Sequence, residues 1–175
     1  MKIGVYGGSF DPVHSGHVGA VRMAMEGVGL DKVIVIPTSL SPFKKETLFA
    51  AEQRLELVKL AFAGLPQVVV DDRELRKEGV SYTIDTMRAL AAENPGAKFW
   101  FITGDDALKN IDKWKDHEEL LKLCEFVGYK RTRESSSEVR RRLAAGEPID
   151  DLVPEKVARA IAGFFPCPIA ANAEI

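Results

Sequence analysis

Two imidazoles stand three residues apart shortly after a pair of glycines. The segment Gly7-Gly8-Ser9-Phe10-Asp11-Pro12-Val13-His14-Ser15-Gly16-His17 follows a short apolar run, Lys2 to Tyr6, and leads into a helical pattern. At that spacing His14 and His17 share one side of a helical first turn, where each can donate a hydrogen bond to a phosphate oxygen. Gly7 and Gly8 carry no Cβ, so the backbone is free to turn sharply there and to let a ligand approach. The helix predicted after Ser15 directs unpaired N–H groups and the positive end of its dipole at an anion. This layout describes a phosphate site. It is not a Walker A loop, because no second glycine with Lys and Ser/Thr follows at the helix start, and the G-x-G-x-x-G fingerprint is absent too. Zinc would need a third ligand that no H-E-x-x-H or C-x-x-C pattern supplies, so no metal ligand is assigned to the protein. A glycine turn with two surface histidines is the plainer alternative.

Further along, Ser135-Ser136-Ser137-Glu138-Val139-Arg140 has its own physical reading. Ser135 followed by Glu138 is a capping-box pattern opening a helix through Leu143, and that helix start would face anions, with Arg140 one turn in. Arg141 and Arg142 are expected in solvent; an ordinary capped basic helix is the alternative for the whole stretch. Thr83 is expected as the N-cap of another helix, with Asp85 in its favourable first turn. Asp106, just after an apolar run, is suited either to accept ribose hydroxyl bonds or to cap a helix.

The elements that must position these residues alternate in type. Strand candidates are Ile3 to Tyr6, Val33 to Pro37, Val68 to Val70, Phe99 to Thr103 and Cys124 to Val127, each short enough for a buried parallel strand. Between them Val18, Val21, Met25 and Val28 recur at helical spacing with Gly29 near the stop, as do Leu55, Val58, Leu60 and Phe62, and then Met87, Leu90 and Ala91. Alternation of this kind predicts an α/β fold, a Rossmann-like doubly wound parallel sheet of about five strands flanked by helices, with ligands beyond the carboxyl ends of the strands at the switch point. The 175 residues, 46% hydrophobic and 29% charged, suit one domain, placed at 1–165 with a tail at 166–175 expected to be disordered. A net charge of −2 gives no basic field for nucleic acid. Cys124 and Cys167 have no metal or redox spacing and read as reduced thiols of a cytoplasmic protein, and no run is long enough to span a membrane. Oligomerisation is left open.

The residues Gly7 to His17 resemble the G-x-F-D-P-x-H-x-G-H signature of the nucleotidyltransferase superfamily. Ser81-Tyr82-Thr83-Ile84-Asp85-Thr86, then Gly104-Asp105-Asp106 and Trp114, are similar to the bacterial nicotinate mononucleotide adenylyltransferases; Ser135 to Arg140 is similar to their I-S-S-T-x-I-R motif. The resemblance implies adenylyl transfer from ATP to nicotinate mononucleotide, with pyrophosphate released and Mg²⁺ bound through the ATP phosphates. It implies catalytic roles for His14, His17, Lys44 and Arg140, His17 leading. Gly7, Gly8, Ser9, Phe10, His14, His17, Gly104, Asp106, Ser135, Ser136 and Arg140 would hold ATP. Ser9, Lys44, Tyr82, Thr83, Asp106 and Trp114 would hold the acceptor, Trp114 stacking on its ring and the amides around Tyr82, Thr83 and Ile84 favouring a carboxylate.

Two departures stand out from that family. Phe43 replaces a histidine in the loop Pro37 to Lys44, and only Gly128 to Glu134 separate the fifth strand from the serine motif, where members carry a longer stretch and an apolar residue in place of Glu134. Another acceptor, nicotinamide mononucleotide or 4′-phosphopantetheine, or a non-catalytic nucleotide-binding module, are the alternative readings.

Overall fold

In the computed structural model, residues 1–39, 46–77, 79–130 and 132–165 are described. Five strands carry the apolar runs: β1 (Lys2–Gly8), β2 (Lys32–Pro37), β3 (Val68–Val70), β4 (Lys98–Gly104) and β5 (Glu125–Tyr129). They form one sheet in the order β3-β2-β1-β4-β5, and every pairing is parallel. Chain connections therefore leave β1 toward β2 on one side and reach β4 on the other, which opens the crevice of a topological switch point beyond the carboxyl end of β1.

Among the described residues seven α-helices accompany the sheet: α1 (Ser15–Val28), α2 (Ala51–Phe62), α3 (Thr83–Glu93), α4 (Asp105–Leu108), α5 (His117–Leu123), α6 (Ser136–Ala145) and α7 (Glu155–Phe164). Strand residues alternate between two apolar layers, as the period of two requires. Tyr6, Val33, Val35, Trp100 and Ile102 pack with Val21 and Ala24 of α1, Leu57 and Val58 of α2, and Val157 and Ile161 of α7. Ile3, Val5, Ile34, Ile36, Phe99 and Phe101 pack with Ile84, Met87 and Leu90 of α3 and Leu120 of α5. Each fully buried Val, Leu, Ile or Phe contributes about 1.5–3 kcal/mol of transfer free energy, so both layers hold the sheet rigid beneath the crevice. Among the described residues no helix is long and apolar enough to cross a membrane.

Several local expectations change. β1 continues through Gly8, which is in register with Pro37, so the glycine pair completes the strand and does not turn the chain. The left-handed residue of the turn is Phe10, at φ 45°. Cys124 is the C-cap of α5, outside β5, and burial pushes its thiol up to about 12. Tyr82, in extended conformation, takes the N-cap position of α3 and Thr83 is the first helical residue; the tyrosine ring has no capping oxygen within reach of the helix amides. Gly29, at φ 70°, ends α1 as its position suggests. The tail and Cys167 lie outside the described residues.

Candidate active site

Two cavities open side by side at the carboxyl ends of β1 and β4. The first, of about 460 Å³, is lined by Ser81, Tyr82, Thr83 and Thr86 at the start of α3, by Lys113, Trp114 and Lys115, and by Glu74, Phe101 and Thr38. The second, of about 230 Å³, is lined by His14, Gly16 and His17 at the start of α1, by Ser135, Ser136 and Ser137 at the start of α6, and by Tyr6, Phe10, Tyr129, Thr132 and Glu134. Gly7, Gly8, Ser9 and Thr103 line both. The absence of Cβ atoms at Gly7 and Gly8 thus serves a low floor shared by two compartments.

His14 occupies the N-cap position of α1, and its backbone N–H donates to His17 Nδ1 at 3.1 Å. An Nδ1 that accepts this bond holds a lone pair, which leaves the ring proton of His17 on Nε2. The two rings lie close against each other, centroids 3.7 Å apart and planes tilted by 33°. Tyr6 and Phe10 wedge His17 from other sides, at centroid distances of 5.9 Å and 5.0 Å. His14 is buried, its Nδ1 has no hydrogen-bond partner, and burial pulls its imidazole down to about 4 against the opposing field of Glu134. It is a neutral ring at pH 7. A Cβ at Gly16 would lie 2.7 Å from Thr132 Oγ1 and 3.0 Å from His14 Nδ1, so a side chain here would press on both. The amides of Ser15 and His17 already donate to Leu152 O and His14 O, so α1 offers fewer unpaired N–H groups than its sequence suggests. The Tyr6 hydroxyl meets that of Tyr129 at 2.7 Å, and burial with Tyr129 alongside pushes its ionisation far above the ordinary phenol range.

The turn from Ser9 to Pro12 is fastened from three directions, which explains how Phe10 keeps its left-handed backbone. Arg54, buried on α2, donates through Nη1 to Ser9 O at 2.6 Å and Thr38 O at 2.8 Å. The Asp11 carboxylate accepts the amides of Leu48 and Phe49, both at 2.9 Å. From α6, Arg140 Nη1 donates to Asp11 O at 2.6 Å and Ser136 Oγ donates to Pro12 O at 3.0 Å. Arg140 also faces the Asp11 carboxylate at 3.7 Å and donates through Nη2 to Ser137 Oγ at 3.2 Å.

Ser135 is the N-cap of α6, its Oγ accepting from Glu138 N at 3.1 Å, and the short connection after β5 still brings Ser135 to Ser137 to the second cavity. The Glu138 carboxylate is taken by Arg141 and Arg142, which pair further with Glu147 and Asp151 and are not simply solvated. Those two arginines hold Glu138 down to about 2. Trp114 stands edge-on to Phe101, centroids 5.7 Å apart, with one wall of the first cavity formed beside Tyr82 and Thr83.

Of the site residues named from the sequence, His14, His17, Gly7, Gly8, Ser9, Phe10, Ser135 and Ser136 meet at the second cavity, and Ser9, Tyr82, Thr83 and Trp114 at the first. Arg140, Gly104 and Asp106 line neither: Arg140 is drawn to Asp11, Gly104 is the N-cap of α4, and Asp106 lies in its first turn. Lys44 lies outside the described residues. Sequence reasoning missed Glu74, Thr103, Tyr129, Thr132 and Glu134 as lining residues. Thr103 had a signal, since it ends a strand at the switch point; Glu74 had none in a run of alternating charges.

The cytidylyltransferase-like family model matches residues 5–160. The chain belongs to this family. Among curated relatives, an Aliarcobacter butzleri protein is 41% identical over 135 residues, 74% of either chain, and an Albidiferax ferrireducens protein is 38% identical, covering 92% of this chain and 95% of its own. Both carry the name "Probable nicotinate-nucleotide adenylyltransferase". A solved structure from Vibrio parahaemolyticus, of a protein assigned as a nicotinate-nucleotide adenylyltransferase, shares the fold with a TM-score of 0.77 at 21% identity, covering 90% of this chain and 96% of that one.

Proposed function

We propose that this chain transfers the adenylyl group of ATP to the phosphate of nicotinate mononucleotide, giving nicotinate adenine dinucleotide and pyrophosphate in NAD biosynthesis. The observation that carries this reading is the pair of cavities over one floor. ATP places its triphosphate among the histidines and serines, the mononucleotide enters beside Trp114, and the two reacting phosphates meet over Gly8 and Ser9. Names borne by relatives up to 41% identical support the choice of acceptor.

The acceptor phosphate is already anionic at neutral pH, so the reaction needs alignment and charge neutralisation more than a base. In this reading His17 donates from Nε2 to the α-phosphate as negative charge shifts toward pyrophosphate, and His14 stands beside it as a neutral ring. Lys44 and Arg140 are assigned to the outer phosphates; Arg140 already bonds Ser137, which lines the second cavity. Trp114 covers the acceptor ring, and the start of α3 lends its positive dipole end to a ring carboxylate. Gly104 and Asp106 are assigned to ribose contacts at the end of β4.

Among the described residues no group of three or more His, Cys, Asp or Glu side chains is placed to hold a metal ion. The second cavity offers hydroxyls and one carboxylate, Glu134, a donor set suited to Mg²⁺ that keeps its waters and phosphate ligands. Bound in this way, Mg²⁺ would neutralise charge on the departing pyrophosphate, with Glu134 and the serine hydroxyls meeting its waters. The substrates are small molecules, and the cytoplasm is where this reading places the enzyme. Incubation with ATP, Mg²⁺ and either nicotinate or nicotinamide mononucleotide, with separation of the dinucleotides, tests the proposal. A preference for the nicotinate form is expected; ATP binding with no dinucleotide from either acceptor would turn the reading to another acceptor or to a binding module.

A further inference from the structure

Arg54 carries a positive charge into the interior, where it is 2% exposed. Asp11 and Glu52 act on it through their fields, while burial loosens its hold on the proton. The Asp11 carboxylate is taken by the amides of Leu48 and Phe49, so Arg54 is left to bond backbone. Its Nη1 donates to Ser9 O at 2.6 Å and to Thr38 O at 2.8 Å, its Nη2 reaches Ser39 O at 3.5 Å, and Nε has no partner. Burying a guanidinium without a paired carboxylate is costly, and here it lies behind the floor that the two cavities share. Ser9 lines both cavities and Thr38 lines the first, whereas Arg54 lines neither.

A trans peptide is planar, and its C=O and N–H point in opposite directions. Ser9–Phe10 and Thr38–Ser39 are both trans peptides. Holding the Ser9 and Thr38 carbonyls on Arg54 therefore turns the N–H groups of Phe10 and Ser39 away from it, to the side where the cavities open. Among the described residues neither of these two amides has an acceptor, whereas the neighbouring Thr38 N–H donates to Gly8 O at 2.9 Å.

We propose that Arg54 is a positioning residue for adenylyl transfer, one that fixes the Phe10 and Ser39 amides as donors to the phosphates meeting over the floor. This assignment rests on the reading of the cavities as nucleotide and acceptor sites. Arg54 itself stays behind the floor and touches no substrate. Were either peptide to flip, a carbonyl oxygen would stand where the amide now does, and a phosphate would meet repulsion in place of a hydrogen bond. Phe10, at φ 45°, has a backbone conformation that its surroundings must impose, and the bond from Arg54 to Ser9 O is one of the contacts that impose it. Donors held in place before the reaction need no reorganisation as charge develops on the phosphates.

Arg54→Lys tests the role, because it keeps a buried cation but replaces the planar fork with a single ammonium. Rates per folded molecule, measured well below the thermal midpoint, should show kcat lower by about tenfold or more, the scale of a misdirected oxyanion donor. KM for ATP and for nicotinate mononucleotide should stay within about threefold of wild type. A merely structural role would lower the unfolding free energy and leave kcat of the folded molecules unchanged, and that result would overturn the proposal. The wild type supplies a second test that survives a variant unable to fold. In ¹H–¹⁵N spectra recorded during titration with nicotinate adenine dinucleotide, whose two phosphates belong over the floor, the amide protons of Phe10 and Ser39 should move downfield. Dinucleotide that shifts other residues of the cavities and leaves both amides in place would overturn this assignment alone. Dinucleotide that leaves the whole spectrum unchanged would overturn the reading of the activity, and this assignment with it.

Discussion

Acidification should expose the burial of His14 as a loss of stability with a calculable size. The folded protein holds this ring neutral down to about 4, whereas an exposed histidine takes its proton near 6.5. Between those values the unfolded chain binds one more proton than the folded one, so unfolding becomes easier as pH falls, and below about 4 this group adds nothing further. At 1.36 kcal/mol per pH unit the full effect is about 3 kcal/mol, of which about 2 kcal/mol is already lost at pH 5. Urea unfolding at pH 7.5 and pH 5, in wild type and in His14→Asn, isolates the group: the wild type should lose about 2 kcal/mol more than the variant. A direct readout comes from the ring protons in an NMR titration, which is tractable because the chain has only three histidines. His14 should remain unprotonated through pH 5. A His14 titration at 6 or above, or equal losses in both proteins, would refute the argument that this ring is sealed beneath His17 and beside Gly16.

Other consequences follow from the same geometry. His17→Ala removes the donor placed at the reacting phosphate and should lower kcat by about 10²-fold or more with the fold intact, as removal of an oxyanion donor does elsewhere; near-wild-type turnover in steady-state assays would sink that role. Trp114→Ala should raise KM for the acceptor by about two- to tenfold, the worth of an aromatic stack, with ATP affinity unchanged, whereas calorimetry showing the reverse would mean the two cavities are misassigned. Arg54→Leu strips the carbonyls of Ser9 and Thr38 of a buried donor and should reduce unfolding free energy by about 2–5 kcal/mol, so a thermal midpoint equal to wild type would contradict the claim that this guanidinium fastens the turn.

The strands and their order of appearance were legible because each is a short apolar run, whereas the alternation of Val33 to Ile36 and Phe99 to Ile102 between two core layers shows only in the structure, since every residue of both runs is apolar. The strand–turn–helix around His14 and His17 was equally open to reading, as were the serine cap of α6 and the helix stop at Gly29. Contacts between distant segments were not. Nothing local tells that Arg54 on α2 bonds Ser9 O and Thr38 O, or that Arg140 meets Asp11, because such pairings appear only once the fold closes chain separations of 45, 16 and 129 residues. The turn was misplaced by propensity: glycines suggested a bend at Gly7-Gly8, yet tertiary bonds impose the left-handed conformation on Phe10. Glu74 was hidden for a similar reason, since Asp71 to Lys77 reads as a solvated run of charges and its burial depends on α3 closing over it.

The central claim is that both cavities belong to one reaction centre, where the α-phosphate of ATP is passed to a mononucleotide. Labelled ATP tests it most directly. With ³²P at the α position, turnover with Mg²⁺ and nicotinate mononucleotide should carry the label into the dinucleotide, and with ³²P at the γ position the label should leave entirely in pyrophosphate. γ-label appearing on the acceptor or in free phosphate, or α-label remaining in ATP while both ligands bind, would contradict the account.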